Sequence, residues 1–163
     1  MTPPEATLPQ EPAAQDGLAI RLTEAPFDPG ALLGAFAAGR TETGAVATFT
    51  GLARGERGAT ATLELEAYPG FTEAEIGRIA EQARARFDLH GVMILHRVGR
   101  IAPGEPIVFV ATAASHRRAA FEACDFLMDY LKSRAPFWKK EHGPGGARWI
   151  EPTAQDHADR DRW

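Results

Sequence analysis

Asp129–Glu141 reads DYLKSRAPFWKKE. Its first residues close a long apolar run at helical spacing. Ala135-Pro136 breaks that run, because proline has no N–H to continue the ladder and pushes the preceding residue out of helical geometry. Phe137 to Glu141 restarts as a short extended run with two aromatics and two lysines. These thirteen residues also hold Lys132, Arg134, Lys139 and Lys140, in a chain whose 18 Lys+Arg are outnumbered by 22 Asp+Glu. A cationic knot in an acidic protein, built partly on a rigid helix, suits something small and negative. It equally suits a solvated helix end, where lysine and arginine complement the dipole.

Working upstream, Ala119, Ala123, Phe126, Leu127, Tyr130 and Leu131 give the helix a wide buried face, and Ser115 is its expected cap. Ile107–Ala113 is almost continuously apolar and reads as a central strand. Val92–Val98 reads as another strand, with Gly99–Pro106 as a turn between the two. Thr72-Glu73-Ala74-Glu75 resembles a capping box opening a helix whose stripe is Ile76, Ile79, Ala80, Ala83 and Phe87. Thr60–Tyr68 alternates as a half-exposed antiparallel strand. Gly44–Thr50 is β-rich, and Gly51–Gly58 is a glycine-punctuated loop holding Arg54 and Arg57. Leu18–Leu22 is the first strand. Asp28-Pro29 then reads as an N-cap with proline in the first turn, and that helix stops at Gly39. Downstream of the knot, Ala147–Glu151 returns across the His142–Gly146 loop as a hairpin.

The order β-α-β-β-α-β-β-α-β-β predicts a single α+β domain over residues 17–152, with mostly antiparallel sheet. Residues 1–16, rich in Pro, Ala and Glu, read as a disordered extension. Residues 153–163 read as a loose polar tail.

Composition excludes several functions. A pI near 5.7 argues against nucleic-acid binding, which needs a basic face. No apolar run approaches the roughly 20 residues that span a bilayer, and no signal-peptide layout is present. The lone Cys124 excludes an internal disulfide and a Cys-rich metal site, and no His/Asp/Glu spacing suggests a metal. A cytoplasmic protein is expected, with no metal, cofactor, nucleic acid or membrane.

Lys132 is the leading catalytic candidate: cationic neighbours disfavour an ammonium and leave more neutral amine. Lys139 and Lys140 must point to opposite faces of a strand, so one of them lines a given pocket directly. Ser115-His116-Arg117-Arg118 opens a helix where free N–H groups and two arginines suit phosphate or carboxylate; the alternative is a surface cap with incidental charge, but arginine in a first helical turn opposes the dipole and calls for a compensating partner. Arg54 follows a strand in a glycine-flanked loop, and on the residues alone it is an exposed loop arginine. His96-Arg97 is either a site or a strand-end pair, and Cys124 reads as core. Arg117 and Lys132 lie fifteen residues apart on one helix, roughly 22 Å. A small ligand touching both needs two chains, as a symmetric dimer would supply.

VATFTGLAR, LELEAYPGFTEAEI, ILHRVGRIAPGE, SHRRAAFEACDFLMDYLKSRAPFWKKE and RWIE occur in this order. Together, over Leu18 to Pro152, they resemble the large, catalytic subunit of molybdopterin synthase. The resemblance implies an α/β hammerhead fold and a step of molybdenum cofactor synthesis. Such enzymes install two dithiolene sulfurs in a cyclic pyranopterin monophosphate. The sulfur comes from a thiocarboxylate on the C-terminal Gly-Gly of a small ubiquitin-like subunit, and two large subunits form the centre of a heterotetramer. By resemblance the catalytic lysines fall on Lys132, in acid–base work or in positioning the thiocarboxylate, and on Lys139, in polarising or binding substrate. Substrate contacts fall on Arg54, His116, Arg117, Lys140 and Glu141, with Leu52 and Ala53 standing where some relatives carry lysine and valine. One rival is a non-catalytic module that only binds the ubiquitin-like partner; the two intact lysines favour an enzyme. The other is a small basic-pocket module for nucleotides or RNA, which the acidic charge opposes.

Overall fold

The computed structural model describes residues 17–55 and 62–163. The expected disordered extension over residues 1–16, and the loop from residue 56 on with Arg57, lie outside the described residues.

The strands are β1 (Leu18–Thr23), β2 (Ala45–Leu52), β3 (Thr62–Ala67), β4 (Gly91–Arg97), β5 (Gly99–Ile101), β6 (Pro106–Ala114), β7 (Phe137–Gly143) and β8 (Gly146–Ile150). The helices are α1 (Pro29–Ala37), α2 (Phe71–Phe87), α3 (Arg117–Ser133) and α4 (Ala154–Asp161). One sheet runs β1-β4-β6-β2, the other β5-β3-β7-β8. Only β1 and β4 pair in parallel among the described strands. The α+β expectation with mostly antiparallel sheet therefore holds.

β4 and β6 are central and buried on both faces, which is why their sequences are nearly continuous apolar runs. Val92, Ile94, Val108 and Val110 face α2 and α3; Met93, Leu95, Phe109 and Ala111 belong to the core under α1. A third, smaller core of Ala53, Leu65 and Ile101 joins the two sheets. Asp28 caps α1 as expected, accepting from the Gly30 N–H at 2.9 Å.

Four local expectations are corrected. Gly99–Ile101, expected as turn, forms β5 and pairs with β3, Leu63 opposite Ile101. Thr72 does not cap α2, whose N-cap is Gly70. It lies fully buried instead, where it accepts the Tyr68 N–H and donates to the Pro136 carbonyl, both at 2.9 Å. Ser115 does not cap α3, whose N-cap is His116 without a side-chain bond. The Ser115 hydroxyl meets His90 Nε2 at 3.0 Å, and His90 Nδ1 meets Thr43 Oγ1 at 2.9 Å.

The fourth correction concerns the tail. Residues 154–161 are helical, opened by a capping box between Thr153 and Asp156. Beyond the helix, Trp163 packs edge-on against Phe87 and Phe126, and its Nε1–H donates to Asp129. Arg162 reaches Asp125 and Asp129. The tail is therefore tied to α3. No helix among the described residues is long and apolar enough to cross a membrane.

Candidate active site

Lys132 sits in the last turn of α3 and Lys139 on β7, with the Pro136 break between them. The Thr72–Pro136 hydrogen bond pins that break to α2 and so fixes the direction in which β7 leaves the helix. Both lysines line a cavity of about 590 Å³, with Arg54, Glu141 and Arg148 at its rim. The same lysines, with Phe49, Gly51 and Leu63, also line a tighter chamber of about 90 Å³. Leu65, Val108, Met128, Leu131 and His96 complete the chamber. The two spaces share Phe49, Gly51, Leu63 and both lysines, so the wider one, with its charged side chains, adjoins a narrower, mostly apolar one. Gly51 belongs to its wall: a Cβ there would lie 2.8 Å from Val108 Cγ1 and 3.3 Å from Phe49 Cε1. Any side chain at this point must push the wall aside.

Burial, reinforced by the Lys132 charge and opposed by Asp156, lowers the Lys139 ammonium to about 8. Lys132, at the helix end, is exposed. Lys139 is thus an easily deprotonated amine. Asp156, on α4, responds in kind. Burial raises its carboxyl, but hydrogen bonds with Thr153 and the charges of Lys132 and Lys139 together hold it below the ordinary value. Cys124 is buried in the core as expected, and burial pushes its thiol up to about 12. It is poorly suited to nucleophilic work.

The predicted site residues fall into two groups. Arg54, Lys132, Lys139 and Glu141 come together around the larger cavity. Glu141 accepts from Arg148 Nε and Nη2 at 3.0 and 2.8 Å. Lys140 is not with them. It points to the other face of β7, its ammonium 5.1 Å from the centre of the Trp149 ring. His116 and Arg117 line a separate recess of about 380 Å³ at the opposite end of α3, with Arg118, Phe121 and Glu122. Within one chain the structure does not bring them to the lysines.

Three contributors were not assigned from the sequence. Arg148 faces Glu141 across the β7–β8 hairpin, a register that the hairpin itself could have supplied. Asp156 belongs to a Thr-x-x-Asp capping signal passed over in the tail. Of the His96-Arg97 pair, His96 lines the inner chamber, while Arg97 is structural. The Arg97 guanidinium pairs with Glu105 and donates to the carbonyls of Glu24 and Arg100.

The sequence model of the family described as MoaE protein matches residues 22–134. The molybdopterin synthase catalytic subunit of Caulobacter vibrioides is 72% identical over 144 residues, covering 88% of this chain and 96% of that protein. Among solved structures, a molybdopterin biosynthesis MoaE protein from Burkholderia ambifaria superimposes with a TM-score of 0.77 at 46% identity, over 90% of this chain and 97% of the other. Molybdopterin synthase from Staphylococcus aureus gives 0.71 at 27% identity, over 79% and 94%.

Proposed function

The chain belongs to the MoaE protein family, and from that premise we propose that it is the catalytic subunit of a molybdopterin synthase. In this reading it is a sulfurtransferase acting on a cyclic pyranopterin monophosphate. The sulfur donor is the C-terminal thiocarboxylate of a small ubiquitin-like subunit, and two copies of this chain stand at the centre of a heterotetramer. The carrying observation is the passage between Lys132 and Lys139: a cationic opening that narrows to about 90 Å³ between apolar walls. A negatively charged tail ending in glycines, without side chains, suits such a passage; a bulkier peptide does not.

The residues divide the work. Lys132, exposed at the helix end, meets the incoming thiocarboxylate as a charge. Lys139, which holds its proton loosely, exchanges it with the oxygen leaving the pterin and polarises the carbon under attack. Arg54 and Arg148 at the rim offer guanidinium groups to an anionic substrate. His116 and Arg117, beside the free N–H groups opening α3, suit the substrate's phosphate. They lie roughly 22 Å along the helix from Lys132, so each complete site combines the α3 start of one copy with the lysines of another. The donor brings its own sulfur, and the chemistry calls on no cysteine nucleophile.

The test is turnover with thiocarboxylated carrier and pterin precursor, read as dithiolene product. Product from the wild type and none from Lys132→Ala, with the carrier still bound by both, supports the assignment. Retained turnover in Lys132→Ala removes Lys132 from the chemistry. Carrier binding without turnover by the wild type reduces the chain to a binding module.

A further inference from the structure

His96 lies in the inner chamber on β4 and is 6% exposed. Its ring stacks on Phe137 with centroids 4.1 Å apart and planes 21° from parallel. Its Nδ1 is 2.8 Å from the Arg97 carbonyl. A carbonyl only accepts, so Nδ1 carries the proton and Nε2 of the neutral ring presents a lone pair. Among the described residues Nε2 has no hydrogen-bond partner, and it is not sealed from solvent. The other charged or strongly polar side chains lining the chamber, Lys132 and Lys139, are donors when protonated. The chamber thus pairs two ammonium donors with one imidazole acceptor.

The proposed reaction needs such an acceptor. A thiocarboxylate sulfur that attacks a pterin carbon leaves carrier and pterin joined as a thioester, and the carrier departs only when water cleaves it. Resting on the sulfur-transfer reading above, we infer that His96 accepts the proton of the water that releases the carrier from the sulfurated pterin. Water adds its oxygen to the carrier's acyl carbon while Nε2 takes a proton from it. The carbon–sulfur bond breaks, and its electron pair stays on sulfur. The imidazolium then returns its proton to that thiolate. The carrier leaves as a carboxylic acid, which ionises to solvent. Lys132 and Lys139 face the same space and supply positive charge to the oxyanion of the tetrahedral intermediate.

Burial, opposed by the hydrogen bond to the Arg97 carbonyl and reinforced by the charges of Lys139 and Lys132, holds the His96 imidazole down to about 4. The ring therefore enters the step neutral and ready to accept. As negative charge develops on the oxyanion beside it, its proton affinity rises with the charge. Arg97 presents its carbonyl to the ring and turns its guanidinium to Glu105.

The test separates transfer from release. Wild type and His96→Phe, which keeps a ring to stack on Phe137, are mixed with thiocarboxylated carrier and pterin precursor for a single turnover. Carrier–pterin adduct is followed by intact-protein mass and free dithiolene product by quench. The expected result is adduct formation at the wild-type rate and release slowed by about 10²-fold or more, so that adduct accumulates. His96→Gln, which cannot relay the proton, should behave alike and decides the matter if the phenylalanine variant does not fold. Release at the wild-type rate in either folded variant, or a block before adduct formation, overturns the assignment. Failure of the wild type to form adduct or product condemns the sulfur-transfer reading instead, so the two failures are distinguishable.

Discussion

Replacing Lys139 by methionine keeps most of the side-chain length and removes the charge. In the folded chain burial holds the Lys139 ammonium at about 8 against an ordinary value of 10.5. Keeping it charged in the fold at pH 7 therefore costs up to about 3 kcal/mol relative to the unfolded chain. The passage opens to water, which screens part of that cost, so Lys139→Met should be more stable than the wild type by about 1–3 kcal/mol at pH 7. The pH dependence gives a sharper signature. The folded value lies below the unfolded one, so between pH 8 and 10.5 the unfolded chain binds more protons than the folded chain. Wild-type stability from this residue is flat below that window and rises with pH through it. The methionine variant lacks that rise, so its advantage should be full at pH 7 and shrink as pH climbs past 8 toward 10.5. Urea unfolding of both proteins at pH 7 and near pH 10 measures this, with equal m-values confirming the same unfolding. Turnover of the variant should be lost while carrier binding remains. A variant no more stable than wild type at pH 7, or an advantage equal at both pH values, would refute the claim that this amine is desolvated.

Three further outcomes are expected. Arg117→Ala and Lys132→Ala chains, each inactive alone, should recover about a quarter of wild-type turnover after random exchange in a symmetric dimer, since about half of the dimers are mixed and each mixed dimer holds one intact and one doubly altered site; no recovery with exchange confirmed would mean that the two ends of α3 do not meet across copies. Gly51→Ala should weaken carrier binding at least tenfold, because its Cβ must displace Val108 and Phe49 from the passage, while costing stability in the range of about 1–3 kcal/mol typical of overpacking; titration calorimetry and urea unfolding check the two effects. Trp163→Ala should cost about 1–3 kcal/mol, since the ring is half-buried against Phe87 and Phe126 rather than enclosed; protease sensitivity confined to residues beyond Pro152 would show that α4 is held by that contact.

The fold was legible where period and burial coincide. β4 and β6 announced themselves as apolar runs, and α2 and α3 as stripes, because one physical cause, a core on a given face, sets both pattern and structure. The failures share a different cause. Thr72 and Ser115 were read as caps from local spacing, yet both hydroxyls serve partners far along the chain, Pro136 and His90. Local sequence cannot display such partners. β5 was missed because three residues carry no periodicity; their strand state comes from pairing with β3. The polarity of the tail hides a helix that its Thr153–Asp156 box opens and the Trp163 ring anchors.

The site shows the same division at the level of a single proton. Counting charged neighbours assigns the lowered amine to Lys132, which has Arg134, Lys139 and Lys140 close in sequence. Burial marks Lys139, whose ammonium it lowers to about 8. A lysine on the last exposed turn of a helix keeps its water, whereas one on a strand facing a narrow passage gives most of it up, and desolvation outweighs neighbouring charge. Lys140, one residue further, faces Trp149 on the opposite side of the strand. The Pro136 break is what creates this asymmetry: it ends the helix after Lys132 and turns the next lysine inward, so that one cation stays hydrated to meet an anion and the other is dried to release a proton.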